Sequence, residues 1–326
     1  MYSSRRLVLQ AAFAALPGLG SPLARAEAWP AKPIRIVVPF PAGGGTDILA
    51  REVSGAIAGA VRWSFVIDNK PGSGGNLGID AVAKSAPDGY TLVIGQTANL
   101  AINPTLYARL PYDPLKDLTP IGLIGSSPLL IVTGATSPYK TLADLVAAAK
   151  ARPGELNYAS SGNGTVAHLA MELFQREAGI RLTHIPYKGA SQGLTDVISG
   201  QVHVYASSVP TLLPQVKGGK LRALAVTSAR RAADLSQTPT VAESGYPGFN
   251  ALTWFGLLGP ARLPAAVVTA VNAELGKALA LPALRKKLEE QGVEITPGTP
   301  AEFGKLIAAD MARWGRIVKE TGSKAD

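Results

Sequence analysis

Short apolar runs alternate with helical patterns along the chain, and this alternation constrains the fold more than any single motif does. Such a chain must lay its helices on the faces of a largely parallel sheet, so the expected class is α/β, doubly wound. Ile34-Arg35-Ile36-Val37-Val38 opens the series as a strand, and the helix after its glycine-rich turn begins near Thr46. Further strands are expected at 65–67, 91–94, 129–132, 182–185, 202–205 and 221–226. Thr141-Leu142-Ala143-Asp144 and Thr299-Pro300-Ala301-Glu302 have the spacing of capping boxes, in which hydroxyl and carboxylate satisfy each other's backbone N–H. The second box starts a C-terminal helix whose Phe303, Leu306, Ile307, Met311, Trp314 and Val318 mostly share one face.

A chain of 326 residues is long enough for two packed lobes. No Pro/Gly/Ser-rich linker or internal repeat divides it, so the chain is expected to pass between lobes more than once, near 121–130 and near 224–241. That places lobe 1 at 27–125 and 238–326 and lobe 2 at 126–237. Residues 1–26 read as a signal peptide: Arg5 and Arg6, an apolar stretch too short for a bilayer, then Ala24-Arg25-Ala26 as a cleavage site. Ser4-Arg5-Arg6-Leu7 fits a twin-arginine signal as well as an ordinary charged start. The expected location is therefore the periplasm. Cleavage would remove three of the 32 basic residues and none of the 23 acidic ones, leaving a net positive chain that favours anionic ligands. The basic residues are dispersed and form no patch with aromatics, which argues against a nucleic-acid partner. Without cysteine there is no disulfide framework and no thiolate metal site.

Chemistry concentrates in turns that follow strands and open helices, where an open α/β sheet binds its ligands. The first is Pro39-Phe40-Pro41-Ala42-Gly43-Gly44-Gly45-Thr46-Asp47. Its glycines let backbone approach a ligand, and the helix start offers unpaired N–H groups. It reads equally as a tight turn in which Thr46 or Asp47 caps. No Gly-Lys-Ser/Thr follows, so it is not a phosphate-binding loop. The second, Tyr158-Ala159-Ser160-Ser161-Gly162-Asn163-Gly164-Thr165, has the same character, with His168 on the first turn of the next helix. A hydrogen-bonded, partly buried His168 is favoured over a metal-binding or catalytic one, because His184 and His203 show no ligand spacing. Tyr187 within Ile185–Ala190, Ser207 at the end of 202–205, and Gln96 within 95–99 complete the set. Catalysis finds no nucleophile elbow, thiol or metal cluster; Asp47 could act as a base but has no identifiable partner. No cofactor is expected.

Taken in order, Trp29-Pro30-Ala31-Lys32-Pro33-Ile34-Arg35, Asn69-Lys70-Pro71-Gly72-Ser73-Gly74-Gly75-Asn76, Ala86-Pro87-Asp88-Gly89-Tyr90, Pro186-Tyr187-Lys188-Gly189, Pro239-Thr240-Val241-Ala242-Glu243 and Trp254-Phe255-Gly256-Leu257 resemble the substrate-binding receptors of tripartite tricarboxylate transporters, the Bug-type periplasmic receptors. The resemblance covers nearly the whole chain after residue 26. It implies a two-lobed periplasmic binding protein type II (Venus-flytrap) fold, a small carboxylate ligand and a two-component membrane permease as partner. Carried over by position, it implies ligand contacts from Phe40, Ala42, Gly43, Gly44, Thr46 and Asp47 in one lobe. The other lobe would contribute Ser160, Gly162, Asn163, Gly164, Thr165 and His168. Ser207-Ser208 stand where many relatives carry an acidic residue, which disfavours a ligand with an amino group. Residues 60–65 also depart from the family's turn, with only local change expected. The expected function is capture of a small carboxylate by a monomer for delivery to the transporter. A ligand sensor for a membrane signalling partner is the first alternative, and a hydrolase or isomerase of carboxylated substrates the second.

Overall fold

The computed structural model describes residues 29–325, so the expected signal peptide lies outside the described residues. The first part of the chain folds as β1 (Ile34–Val38), α1 (Gly45–Ala60), β2 (Phe65–Asn69), α2 (Asn76–Ala83), β3 (Thr91–Gln96) and α3 (Asn103–Leu106). The middle runs β4 (Leu118–Gly134), α4 (Leu142–Ala151), β5 (Asn157–Ser160), α5 (Val166–Ala178), β6 (Thr183–Pro186), α6 (Ala190–Ser199), β7 (Val204–Ser208), α7 (Val209–Lys217) and β8 (Leu221–Val226). The last part is β9 (Leu252–Pro260), α8 (Ala265–Ala280), α9 (Pro282–Glu289), β10 (Glu294–Gly298) and α10 (Pro300–Thr321).

The strands line up in the order β2-β1-β3-β9-β4-β7-β5-β6, with β8 and β10 also paired to β4. Parallel pairs β1/β2 and β1/β3 form one wound half, and β5/β6 and β5/β7 the other. Strand β4 belongs to both. Its Leu118–Pro128 stretch pairs antiparallel with β9, and its continuation from Leu129 pairs with β7 and β8. Thr227 ties this changeover together: its hydroxyl accepts from Leu129 N at 2.8 Å and donates to the carbonyl of Ala251 at 2.6 Å, just before β9 begins. The side chain is buried, so both bonds are shielded from water.

Both capping boxes are formed. Thr141 Oγ1 accepts from Asp144 N, and Thr141 N donates to the Asp144 carboxylate. Thr299 and Glu302 do the same at the start of α10. On that helix Phe303, Ile307, Trp314 and Val318 are buried in the core while Leu306 and Met311 are only partly covered. The Trp254 indole N–H on β9 donates to Asp310 at 2.6 Å, tying the helix to the sheet. Three stretches of sheet carry no strand expectation from sequence: β9, β10 and the first half of β4. All three are glycine- or proline-interrupted.

Candidate functional site

A cavity of about 280 Å³ opens between the two halves of the sheet, at the ends of strands from both. The Phe40–Thr46 turn, Gln96 on β3 and Thr253 and Phe255 on β9 line it from one half. From the other come Ser161 and Thr165–Ala167, the stretch from Lys188 to Gln192, and Ser207, Ser208 and Thr211. The two sides touch. A methyl group on Gly45 would sit 2.8 Å from Ser208 Oγ, and one on Gly189 would sit 3.0 Å from the Pro41 ring.

Four helices start at this cavity. On α1, α6 and α7 the N-cap residues (Gly44, Gly189 and Ser208) make no side-chain bond to a first-turn N–H, Ser208 Oγ instead meeting the Thr211 hydroxyl at 3.0 Å. Only on α5 does the cap close, with Thr165 Oγ1 accepting from His168 N. Three helix ends therefore present unsatisfied N–H groups and partial positive charge to one small space. Among the lining residues Lys188 is the one charged side chain and none is acidic. Gln96, Thr46 and Thr253 are buried residues that line this cavity.

Asp47 holds the first turn from behind. Its carboxylate accepts from Gly43 N at 2.9 Å, from Asn69 Nδ2 at 2.9 Å and from Arg51 Nε at 3.0 Å. Burial alone would raise the carboxyl pKa, but the Arg51 bond, the Gly43 N–H and Asn69 outweigh it and hold it below its ordinary value. Because Arg51 neutralises Asp47, the acid at the third helical position does not repel an incoming anion from α1. Gly43 adopts φ +80°, which the turn requires and a side chain would strain.

The second turn is braced by a stack of rings. Tyr158, His184 and His168 lie face to face, with centroids 4.7 Å and 4.3 Å apart. Ser160 Oγ bonds His184 Nε2 at 2.7 Å, and His168 Nδ1 accepts from Gly164 N at 3.3 Å. Burial, with a further push from His168, lowers the His184 pKa to about 3, so the imidazole is neutral. Among the described residues no group of three His, Cys, Asp or Glu side chains is placed to hold a metal.

Of the residues singled out from sequence, Phe40, Ala42, Gly44, Thr46, Gln96, Thr165 and Ser207 lie on the cavity wall. Gly43 and Asp47 shape the first turn without lining the cavity. Ser160, Gly162, Gly164 and His168 do the same for the second. Asn163 sits at its tip, its carbonyl facing Gly74 across the gap. The Tyr187 hydroxyl donates to Asp196, and burial with that bond pushes its pKa up to about 12; the ring serves α6 rather than the wall. From sequence, Ser161 and the residues from Lys188 to Ala190 are marked only as parts of their turns and Phe255 only in the family resemblance, none of them as a ligand contact; Ser191, Gln192 and Thr253 are not marked at all. The alternation of a recognised β9 strand would have found Thr253 and Phe255.

A model of the tripartite tricarboxylate transporter family receptor matches residues 49–323. The protein BugT of Bordetella pertussis is 37% identical over 325 residues, covering 99% of both chains. A Rhodopseudomonas palustris protein solved with adipate shares 37% identity at a TM-score of 0.89, over 91% of this chain and 100% of its own. MatC from Rhodopseudomonas palustris, solved with bound malate, shares 29% identity at a TM-score of 0.83, over 89% of this chain and 100% of its own. With a full-length relative at this identity and a model spanning most of the sequence, the chain belongs to the tripartite tricarboxylate transporter receptor family.

Proposed function

We propose that this protein is an extracytoplasmic receptor that closes two lobes around a small carboxylate and delivers it to a membrane permease. One observation carries the reading: three uncapped helix starts converge on a cavity walled by both halves of the sheet and free of acidic side chains. Such a cavity stabilises an oxyanion and repels nothing about it. Each charge-assisted bond to a carboxylate contributes roughly 1.5–3 kcal/mol. Four such bonds, net of desolvation, sum to about 6–12 kcal/mol, a range that includes micromolar affinity at about −8 kcal/mol. Phe40, Ala42, Gly44, Thr46, Gln96, Thr165 and Ser207 are the proposed contacts, with Asp47 and His168 positioning the two turns. The two-lobe division, with exchanges within β4 and ahead of β9, belongs to the same proposal.

The cavity of about 280 Å³ lies near the lower end of the usual range for small-molecule sites, about 300–1,000 Å³, which suits a small acid. The relatives solved with adipate and malate hold ligands of this class. Export and cleavage near Ala26 are part of the proposal, as is a monomeric receptor. Isothermal titration of the purified protein, stripped of co-purified ligand by unfolding and refolding, against C4–C8 mono- and dicarboxylates tests it. Micromolar binding of at least one acid is expected. Absence of binding across the series, or turnover of an acid to a new product, sinks the reading.

A further inference from the structure

The crossover strands have two faces, and the cavity between the lobes uses only one. Leu129 on β4 and Thr253 and Phe255 on β9 face that cavity. The alternate residues Ser126, Pro128 and Leu252 face the opposite way, as strand geometry requires, into a second groove of about 660 Å³. This lies within the usual range for small-molecule sites, about 300–1,000 Å³. Its walls also come from both halves: the 228–232 segment after β8 on one side, and α9 with β10 on the other.

The floor is apolar, from Pro128, Leu252, Val293 and Ile295. The rim carries the guanidinium groups of Arg230 and Arg285, each loosely paired with a glutamate that also lines the groove. Arg230 stands 3.9 Å from Glu294 across the groove, and Arg285 stands 3.6 Å from Glu289. Both separations exceed hydrogen-bond length; Arg285 gives one N–H to the carbonyl of Leu279 at 3.5 Å, and each fork keeps further donors to offer. Arg231, by contrast, is committed to Glu243 at 2.8 Å and to the carbonyl of Ser236 at 2.9 Å.

We propose that this groove behind the crossover strands is a second ligand site, for a small organic anion with an apolar body, and that its occupation favours closure of the cleft in front. The apolar floor takes the body and Arg230 and Arg285 take the anionic group. The coupling follows from position. Rotation of the lobes about β4 and the start of β9 cannot open the front without narrowing the back. An occupant of the back groove therefore resists opening and stabilises the state in which Gly45 meets Ser208. The coupling rests on the two-lobe receptor reading; the groove and its chemistry do not.

Octanoate is the probe, titrated calorimetrically into wild type, Arg230→Gln/Arg285→Gln and the front-cleft variant Gly45→Val, with circular dichroism confirming that each is folded. Wild type is expected to bind, Gly45→Val to bind about fivefold more weakly because its obstructed closure works through the same coupling, and the arginine pair at least about tenfold more weakly. Glu294→Gln, which removes a competing carboxylate, should tighten binding. Small-angle scattering should show wild type contracting on octanoate addition. Binding unaffected by the arginine changes, binding lost only in Gly45→Val, no binding, or no contraction would each overturn the proposal. A separate titration with adipate and malate addresses the front cleft. If both fail there while octanoate binding still depends on the arginines, the cleft reading fails and the groove stands. If either binds, its affinity should rise about fivefold or more with octanoate present, the scale of ordinary coupling.

Discussion

Ser208 Oγ occupies the space that a side chain on Gly45 would need: a methyl group there would lie 2.8 Å from the hydroxyl. Gly45 opens α1 and Ser208 is the N-cap of α7 on the opposite side of the cavity, so their contact measures how completely the cleft is shut. Gly45 lies in an ordinary helical conformation, and replacing it by alanine should otherwise favour α1 by roughly 0.5–1 kcal/mol. Gly45→Ala should therefore leave the unliganded protein as stable as wild type, or slightly more so, while weakening carboxylate binding about tenfold, or ~1.4 kcal/mol. The double variant with Ser208→Ala should recover part of that loss. Calorimetric titration of the four members of this cycle checks it, and additive losses would show that the contact does not govern closure.

Asp47 makes a different prediction, because it supports the turn without facing the ligand. Asp47→Asn removes the charge that holds Gly43 N and Arg51. Stability should fall by about 1.5–3 kcal/mol, the worth of hydrogen bonds to a charged group, and carboxylate affinity should fall with it. The native pKa lies below the unfolded value near ~3.9. The contribution of Asp47 is therefore complete above about pH 4 and disappears as pH falls through the lower, native value. Urea unfolding between about pH 2.5 and 6 should show a shallower acid limb in Asp47→Asn than in wild type.

His184 carries the opposite proton bookkeeping to a salt-bridged histidine. Its native pKa is about 3 while the unfolded chain titrates near ~6.5, so the unfolded state takes up a proton that the native state refuses. Stability is full above about pH 6.5 and declines below it, by at most ~1.4 kcal/mol per pH unit, until the native value is reached. His184→Gln should flatten the part of the stability profile between about pH 4.5 and 6.5. A slope unchanged by the substitution would mean that His184 does not resist protonation.

How far these features are legible in sequence depends on whether they rest on local chemistry. The capping boxes at Thr141 and Thr299, strand β1 and the helix start after Gly44 are readable because the signal and the structure occupy the same few residues. Strand β9 is not. Its Gly256 exists because the Phe303 ring of α10 packs onto the backbone there, and Gly259 lies against Leu92 of β3 as well as its neighbour Leu263; Phe303 and Leu92 are both far away in sequence. The long β4 is hidden likewise, its Gly122 and Gly125 lying against Leu275 and the β10 backbone. The same limit applies to the cavity. Turns after strands point to their own helix starts, but Thr253 and Phe255 reach the wall only through sheet pairing with β3 and β4. The ring stack of Tyr158, His184 and His168 joins three elements and has no sequence spacing of its own.

Lys188 supplies the last prediction. It is the one charged side chain on the cavity wall, on the turn into α6, whose N-cap Gly189 makes no side-chain bond. A fixed helix end acts over its first turn, whereas an exposed lysine acts as a screened point charge. Lys188→Met should therefore weaken a dicarboxylate more than a monocarboxylate of the same length, about five- to tenfold at ~0.02 M salt. The difference should shrink towards nothing near ~1 M salt, where the Debye length is ~3 Å. Titrations of wild type and variant with matched mono- and diacids at both salt concentrations separate the outcomes. An equal loss for both acids at both salts would assign Lys188 to the shape of the turn, leaving the helix ends as the sole source of attraction for the ligand's charge.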